Sequence, residues 1–355
     1  MRILVVNAGS SSLKLSLLAP DDTVLWSGDD LASVDDAVAA QVDGVGHRVV
    51  HGGSSLHQAV RIDDETVRQI EALTPLAPIH QPKAVTAIRA AGSALPGVPA
   101  VACFDTSFHA TLSPAAATYA LPRDWLRRWD LRRFGFHGLS HQYASRRGAE
   151  IAGRPVNGLR VVSCHLGAGA SVCAVRDGRS VDTSMGFTPL EGLVMGTRSG
   201  SVDPGLVLWL INEAGLAATE VADALEQRAG LAGISGGSGD FRELMDTMIS
   251  GENAARLAFD VYVHRLRREI AAMAAALGGL DVLVFTGGVG EHVPIVRATA
   301  ARQLGFLGVT IDGTRNNATT ADGDISADGA LASTVVVTAR EDVEIARQAR
   351  RVLAR

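Results

Sequence analysis

Cysteine is scarce in this chain, and what there is forms no framework. Cys103, Cys164 and Cys173 are the only three in 355 residues, and none sits in a Cys-x-x-Cys pair. A disulfide scaffold is excluded, and the three read as small buried apolar side chains of a reducing cytosol. Cys164 and Cys173 flank one predicted turn, where a bridge would be unusual in that compartment. Long apolar runs are also missing. The best candidate, Ile270 to Phe285, is broken by Gly278, Gly279 and Asp281 and reads as a helix end followed by a strand, not a membrane span. The N-terminus offers one Arg and four apolar residues before polar ones, too little for a secretory signal. Positive charge is not in excess: a net charge of −5 and a pI near 6.1 argue against nucleic-acid or anionic-membrane partners. No low-complexity linker divides the chain.

What remains is a soluble globular composition, 47% hydrophobic and 20% charged, long enough for two domains. The stretch RILVVNAGSSSLK, Arg2 to Lys14, reads as a buried strand, a tight polar turn and a second strand (Leu13, Leu15, Leu17). A strand ending in Gly and Ser brings backbone N–H groups close to an anion. Asn7 adds an oxygen at the strand end suited to a metal ion or its water. An ordinary hairpin turn would leave the same trace. The pattern recurs at RVVSCHLGAGASVCAVR, Arg160 to Arg176, about half a chain away. A third glycine turn, LVFTGGVGEH at Leu283 to His292, follows a strong strand, with a helix from Val293 to Leu304 starting just after it and Pro294 in its first turn.

Helices stand between these units. Asn253 to Leu277 carries a stripe at Leu257, Val261, Leu266, Ile270, Met273 and Leu277, ended by Gly278 and Gly279. The C-terminal segment opens with Glu341, Asp342 and Glu344 and closes with Arg350, Arg351 and Arg355, matching the helix dipole. Strands alternating with helices predict α/β architecture.

Four segments are dense in Arg, His and Gly: GHRVVHGG (Gly46–Gly53), CFDTSFHATL (Cys103–Leu112), RRFGFHGLSHQY (Arg132–Tyr143) and MGTRSGSVDPG (Met195–Gly205). Arg48 and Arg198 sit among small residues without acidic neighbours. Two planar guanidinium forks converging would suit a small anionic substrate; each could instead pair with a carboxylate. His137 and His141 are four apart, but there is no Glu beside His137, and Gly138 argues against a helix there. Phe136 and Gly138 would hold the His137 edge at a cleft. Asp105 closes the apolar run Val98 to Phe104, placed for Mg²⁺ or for a turn cap. Glu341 is either a first-turn helix acid or a metal contact.

In order and spacing these motifs resemble the acetate kinases, of the acetate and sugar kinase, heat-shock chaperone and actin superfamily. VNAGSSSLK, GHRVVHGG, PLAPIHQP, FDTSFH, FGFHGLSH, CHLGAGAS, MGTRSGSVDPG, SGDFREL, FTGGVGE and TARE carry the resemblance over nearly the whole chain. It implies an actin-like ATPase fold of two ribonuclease H-like duplicated domains, 1–107 plus 342–355 and 108–341, with a nucleotide cleft between them. It implies a kinase forming acetyl phosphate from ATP and acetate, with Mg²⁺ (or Mn²⁺) as cofactor, in the cytoplasm, as a homodimer.

By similarity, Arg48 and Arg198 bind the carboxylate or acyl phosphate, His137 stabilises the phosphoryl group in flight, and Asn7 and Glu341 support Mg²⁺ with Asp105 beside it. Ser10, Ser12 and Lys14 lie in the first phosphate turn, His165 and Gly167 in the second. Asp240, Phe241 and Arg242, with Gly287, Gly288 and Gly290, hold the adenosine. Val50, Ile79, Phe136 and Pro189 line the acyl pocket. The chain departs from the family pattern at Ala168 and Ser201, where Asn and Asp are usual, at Gln81 and His292, and in a short segment between Lys14 and His47. A propionate or butyrate kinase, a nucleotide-driven switch and an acyl phosphate sensor are the competing readings.

Overall fold

In the first strand, Ile3 and Val5 alternate with Leu4 and Val6, and all four are buried, so the strand must be covered on both faces. The computed structural model, which describes residues 1–8 and 13–355, shows what covers them. Strand β1 (Ile3–Ala8) pairs antiparallel with β2 (Leu13–Leu18), which pairs antiparallel with β3 (Val24–Gly28). On its other side β1 runs parallel to β4 (Gly44–Val49). With β5 (Val60–Arg61) and β6 (Ala100–Phe104) the sheet order is β3-β2-β1-β4-β6-β5. Ile3 and Val5 pack with Val343, Ile345, Ala346 and Ala349 of the C-terminal helix Glu341–Leu353. Leu4 and Val6 pack with Ala87 and Ala91 of the helix Gln81–Ala94. Gly46 lets the C-terminal helix lie close, because a Cβ there would sit 2.7 Å from Ile345 Cγ2.

A second sheet repeats the plan. Strands β7 (Arg160–Leu166), β8 (Ala170–Arg176) and β9 (Arg179–Thr183) form an antiparallel meander. β10 (Val282–Thr286) runs parallel to β7, and β12 (Ser333–Val336) parallel to β10, with β11 (Gly323–Asp324) on the edge. The order β11-β12-β10-β7-β8-β9 mirrors the first sheet strand for strand. This is the duplicated α/β architecture of the expected actin-like ATPase fold. Two compact units hold the sheets: residues 1–110, 136–143 and 340–355 in one, 111–135 and 144–339 in the other. Phe136–Tyr143 therefore groups with the first unit, although the sequence boundary at 107/108 assigns it to the second.

Local readings held where a local cause set them. The C-terminal helix has its acids in the first turn and Arg350 and Arg351 in the last. The helix Asn253–Leu277 ends at Gly278, which adopts φ +69°. All three cysteines are free and buried, and burial raises their thiols, Cys173 to about 12. Three readings need correction. Leu257 is 56% exposed, because the buried stripe of its helix runs through Phe259, Tyr262 and Val263. The third glycine turn is itself a short helix, Gly287–His292, followed by Pro294–Ala301 with Pro294 in its first turn. Gly138 does not exclude a helix; it starts one, Gly138–Ile151.

Three buried histidines make the fold sensitive to acid. Burial pushes His47 down to about 3 and His51 and His109 to about 4. An unfolded chain binds protons at these sites from about pH 6.5, so it gains protons that the folded chain refuses. Their contribution to stability is complete above about pH 6.5 and is lost as pH falls toward 4. Denaturant midpoints are expected to drop between pH 7 and 4.5, and the drop to be smaller in His47→Gln. A flat profile over that window would contradict the assignment.

Candidate active site

The parallel strands β1, β4 and β6 are neighbours, and the chemistry-bearing residues lie at or just past their carboxyl ends, where open α/β sheets bind ligands. Asn7 is the penultimate residue of β1, Arg48 that of β4, and Asp105 follows β6, its N–H bonded to Val49 O at 3.0 Å. Arg48 Nη2 donates to Asp105 Oδ2 at 2.7 Å, and Nε reaches both carboxylate oxygens at 3.2 Å. Arg48 Nη1 donates to Asn7 Oδ1 at 3.2 Å and lies 3.8 Å from Glu341 Oε2, which accepts from Asn7 Nδ2 at 3.2 Å. Four distant segments thus form one hydrogen-bonded cluster.

Arg48 pairs with a carboxylate here, the alternative its sequence left open. The pair is buried, with 15% and 2% of the two side chains exposed. Burial alone would lower the Arg48 pKa, but the charges of Asp105 and Glu341 overcome it and hold the guanidinium charged. Burial pushes the Asp105 carboxyl up against the pull of Arg48, and Glu341 adds to the rise. Asp105 and Glu341 both face the Arg48 guanidinium in this cluster. Its oxygen donors, Asn7 Oδ1, Asp105 and Glu341, are the hard ligands that suit Mg²⁺. Among the described residues no three His, Cys, Asp or Glu side chains form a cage.

His137 is positioned by close backbone approach. It adopts φ +56° and directly precedes the helix that starts at Gly138. Gly138 N–H donates to Asp105 O at 2.9 Å, and a Cβ on Gly138 would sit 2.1 Å from that oxygen. Only glycine allows the helix to begin there, beside the Asp105 strand end. Phe136 is buried, edge-on to His51 at 5.4 Å, and its carbonyl meets His109 Nε2 at 2.9 Å. Val50 is buried too, and the next residue is fixed by Gln81: His51 N–H donates to Gln81 Oε1 at 3.3 Å and Gln81 Nε2 donates to His51 O at 3.0 Å. The Gln81 departure therefore has a structural use. Ile79 is 41% exposed. Lys14 lies not in the turn but on β2, exposed and directly opposite Asn7. Ser10 and Ser12 lie outside the described residues.

In the second unit three loops meet through glycines. Gly167 N–H closes the β7–β8 turn on Gly169 O at 2.9 Å, and the carbonyl of Ala168 accepts from Gly196 N–H at 3.3 Å. That bond uses the backbone, so it does not depend on the side chain at 168. A Cβ on Gly239 (φ +83°) would sit 2.4 Å from Gly196 O. The β7–β8 turn, the Arg198 loop and the segment 235–240 are thereby held together. His165 lies on β7, between Ser171 of β8 and Thr286 of β10. Gly287 (φ +79°) packs against the end of the same strand, where a Cβ would meet Leu166 O at 2.7 Å. Gly290 is buried and Gly288 exposed. Arg297, fully buried, donates to Gly290 O at 2.8 Å and Glu291 O at 2.7 Å, and so fixes this short helix.

A cavity of about 200 Å³ is lined by Ser235 to Asp240, Glu243, Leu244 and Thr247. Asp240 caps the helix Phe241–Ile249, accepting from Arg242 N–H at 2.8 Å, and Arg242 lies in solvent against it. Phe241 points into the core, 5.2 Å from the Tyr262 ring.

Arg198 differs from Arg48. Its Nη1 donates to Pro189 O at 2.8 Å, and among the described residues no carboxylate lies within ion-pair distance. Burial lowers its pKa, offset in part by the more distant charge of Glu226. It is a partly desolvated fork without an anion. Ser201 does not orient it; the Ser201 hydroxyl accepts from Gly192 N–H at 3.0 Å. Sequence reasoning also missed Tyr119, Arg133 and Glu191, which bond the loop carrying Pro189; Tyr119 and Glu191 sit in segments that gave no catalytic signal, and Arg133 sits in the Arg132–Tyr143 segment but was not singled out there.

A profile of the acetokinase family matches residues 29–347. An acetate kinase of Synechococcus sp. (strain JA-2-3B'a(2-13)) is 47% identical over 336 residues, covering 95% of this chain and 82% of its own. The crystal structure of Porphyromonas gingivalis acetate kinase superposes with a TM-score of 0.91 at 35% identity, covering 99% of both chains. A propionate kinase from Francisella tularensis subsp. tularensis SCHU S4 gives the same TM-score at 33% identity, again over 99% of both chains. From its matched length, these identities and the shared fold, the chain belongs to the acetokinase family.

Proposed function

We propose that the protein transfers the γ-phosphoryl group of ATP to acetate, reversibly and in line, giving acetyl phosphate and ADP. The observation that carries this reading is Arg198, a partly buried guanidinium held by a carbonyl, with no carboxylate at ion-pair distance among the described residues. Phosphoryl transfer asks for positioning and charge neutralisation more than for covalent work by the protein. In this reading Arg198 binds the acceptor carboxylate and then the equatorial oxygens, and Arg48 supports it from the Asn7–Asp105–Glu341 cluster. His137 donates to the phosphoryl group in flight. Asn7, Asp105 and Glu341 hold Mg²⁺, which when bound neutralises phosphate charge. Lys14 on β2, the end of β7 with its turn at His165–Gly167, and the start of the helix at Gly287–Gly290 receive the phosphates with Ser10 and Ser12, and the cavity beside Asp240 receives the adenosine. An acetate-like acid is already ionised at neutral pH, so no general base is needed.

Val50, Ile79, Phe136 and Pro189 would shape the acyl pocket, and the buried Val50 and Phe136 favour the smaller acid. One methylene is worth only about 1–3 kcal/mol, so propionate is the nearest competitor. Hydroxamate trapping with Mg-ATP and acetate, propionate or butyrate tests the choice. Turnover highest with acetate is expected; a propionate optimum would keep the chemistry and overturn the pocket, and no acyl phosphate with any acid would overturn the function.

Family membership supports a homodimer. The helix Pro204–Asn212, with no buried residue and with Leu206, Leu208 and Trp209 about half exposed, offers it a surface. No described helix is long and apolar enough to cross a membrane. Free buried cysteines support a cytoplasmic location.

A further inference from the structure

Three residues with no role in the reading above converge on the loop that holds Arg198. Tyr119 Oη donates to Glu191 Oε2 at 2.6 Å and accepts from Phe187 N–H at 2.8 Å. Arg133 Nη2 donates to Glu191 Oε1 at 2.6 Å, while its Nη1 donates to Met185 O at 2.9 Å and reaches Thr183 O and Ser184 O at 3.3 and 3.4 Å. The Arg133 guanidinium also lies over the Tyr119 ring, 5.5 Å from its centre. Glu191 thus uses both oxygens, one on a phenol and one on a guanidinium, and the two partners grip the backbone from 183 to 187.

The clasp sits against the backbone it holds. A Cβ on Gly186 would sit 1.7 Å from Glu191 Oε2 and 2.1 Å from Tyr119 Oη, so a side chain there would push the carboxylate and the phenol away. Gly186 O accepts from the N–H groups of Phe134 and Gly135, at 3.1 and 3.2 Å. Two residues beyond Phe187 is Pro189, whose carbonyl is the acceptor for Arg198 Nη1. One ring of contacts within this unit therefore sets the backbone on the approach to Arg198.

We propose that Tyr119, Glu191 and Arg133 are positioning residues: a carboxylate-centred clasp that holds the 183–189 loop so that Pro189 aims the Arg198 fork at the acyl anion. The inference rests on the reading of Arg198 as the acceptor-anion ligand. None of the three needs to touch substrate. A guanidinium recognises a carboxylate through a planar fork, so a small displacement of its anchor weakens two hydrogen bonds together.

The test is steady-state kinetics of the full-length Tyr119→Phe and Glu191→Gln variants, with thermal melts alongside. Tyr119→Phe removes one hydroxyl and keeps the ring, so folding is preserved. The acetate KM is expected to rise roughly tenfold, the scale of leaving a largely enclosed N–H without its acceptor, with the ATP KM within about twofold of wild type. Combined with Arg198→Lys, which already lacks the fork, Tyr119→Phe should add little further loss. Equal rises in both KM values, no rise in either, or full additivity with Arg198→Lys would each overturn the clasp. The wild type separates the two layers. If it forms acyl phosphate, the variants judge the clasp alone; if it forms none with any short acid, the functional reading falls and the clasp falls with it.

Discussion

Arg198→Ala lowers kcat/KM for acetate by about 10²–10³-fold, the range seen when one preorganised charge-stabilising donor is removed from a site of this kind. The ATP KM stays near the wild-type value. The reason lies in what surrounds the guanidinium. A hydrogen bond holds it to the Pro189 carbonyl, and among the described residues no carboxylate lies within ion-pair distance, Glu226 acting only from further away. A cation kept partly out of water with no built-in counter-ion is stabilised by the anion that binds, and most where charge spreads over the transferring phosphoryl oxygens. Arg198→Lys keeps the charge and loses the fork, so it should recover only part of the activity. Steady-state kinetics with acetate and ATP varied separately checks both. An unchanged acetate kcat/KM in Arg198→Ala would remove Arg198 from the chemistry.

Asp105→Ala has the second large effect, and it acts on stability as well as on rate. Arg48 and Asp105 form a buried ion pair with three contacts at 2.7–3.2 Å. Deleting one partner strands the other charge, at a cost of about 3–5 kcal/mol. Glu341, 3.8 Å from Arg48, offsets part of it. The same deletion takes away one of the oxygens proposed for Mg²⁺, so activity should fall and the remaining activity should need more Mg²⁺. Asp105→Asn keeps the shape and an acceptor for Arg48, and should restore more stability than activity. Denaturant unfolding at constant m-value, read beside a Mg²⁺ titration of rate, separates these effects. A variant with wild-type midpoint and wild-type Mg²⁺ dependence would contradict the cluster's role.

Much of this was legible in the chain because its causes are local. Strand, small-residue turn and strand announce themselves by β-prone residues giving way to Gly and Ser, and the repeat at half a chain's distance foretold two sheets of one plan. The C-terminal helix shows its direction by its charges. The motifs named Asn7, Arg48, Asp105 and Glu341, but not that one guanidinium would bind the other three. For each Arg the sequence allowed either an ion pair or a fork for an anion, and the fold pairs Arg48 with Asp105 and holds Arg198 on the Pro189 carbonyl. That choice depends on what the tertiary structure brings near, which no local pattern encodes. Gly138 argues against a helix in the sequence because glycine is a poor helix interior; its actual use, to let a helix start against the Asp105 carbonyl, is a matter of close approach across the fold. Gly196 against Gly239 is hidden for the same reason. Leu257, expected in the buried stripe, faces solvent, and Phe241, expected at the adenosine, packs in the core, since an apolar residue's side of a helix is settled by the neighbour that covers it. Tyr119 and Glu191 lie in no conspicuous cluster and act only through each other.

The central claim is direct transfer from ATP to a carboxylate held by arginines, with no phosphoenzyme on the path. Acetate and ATP made chiral at the γ-phosphorus with oxygen isotopes test it most directly. The account predicts acetyl phosphate of inverted configuration at phosphorus, the outcome of a single in-line displacement. Retention would mean two displacements through a phosphorylated side chain and would contradict it.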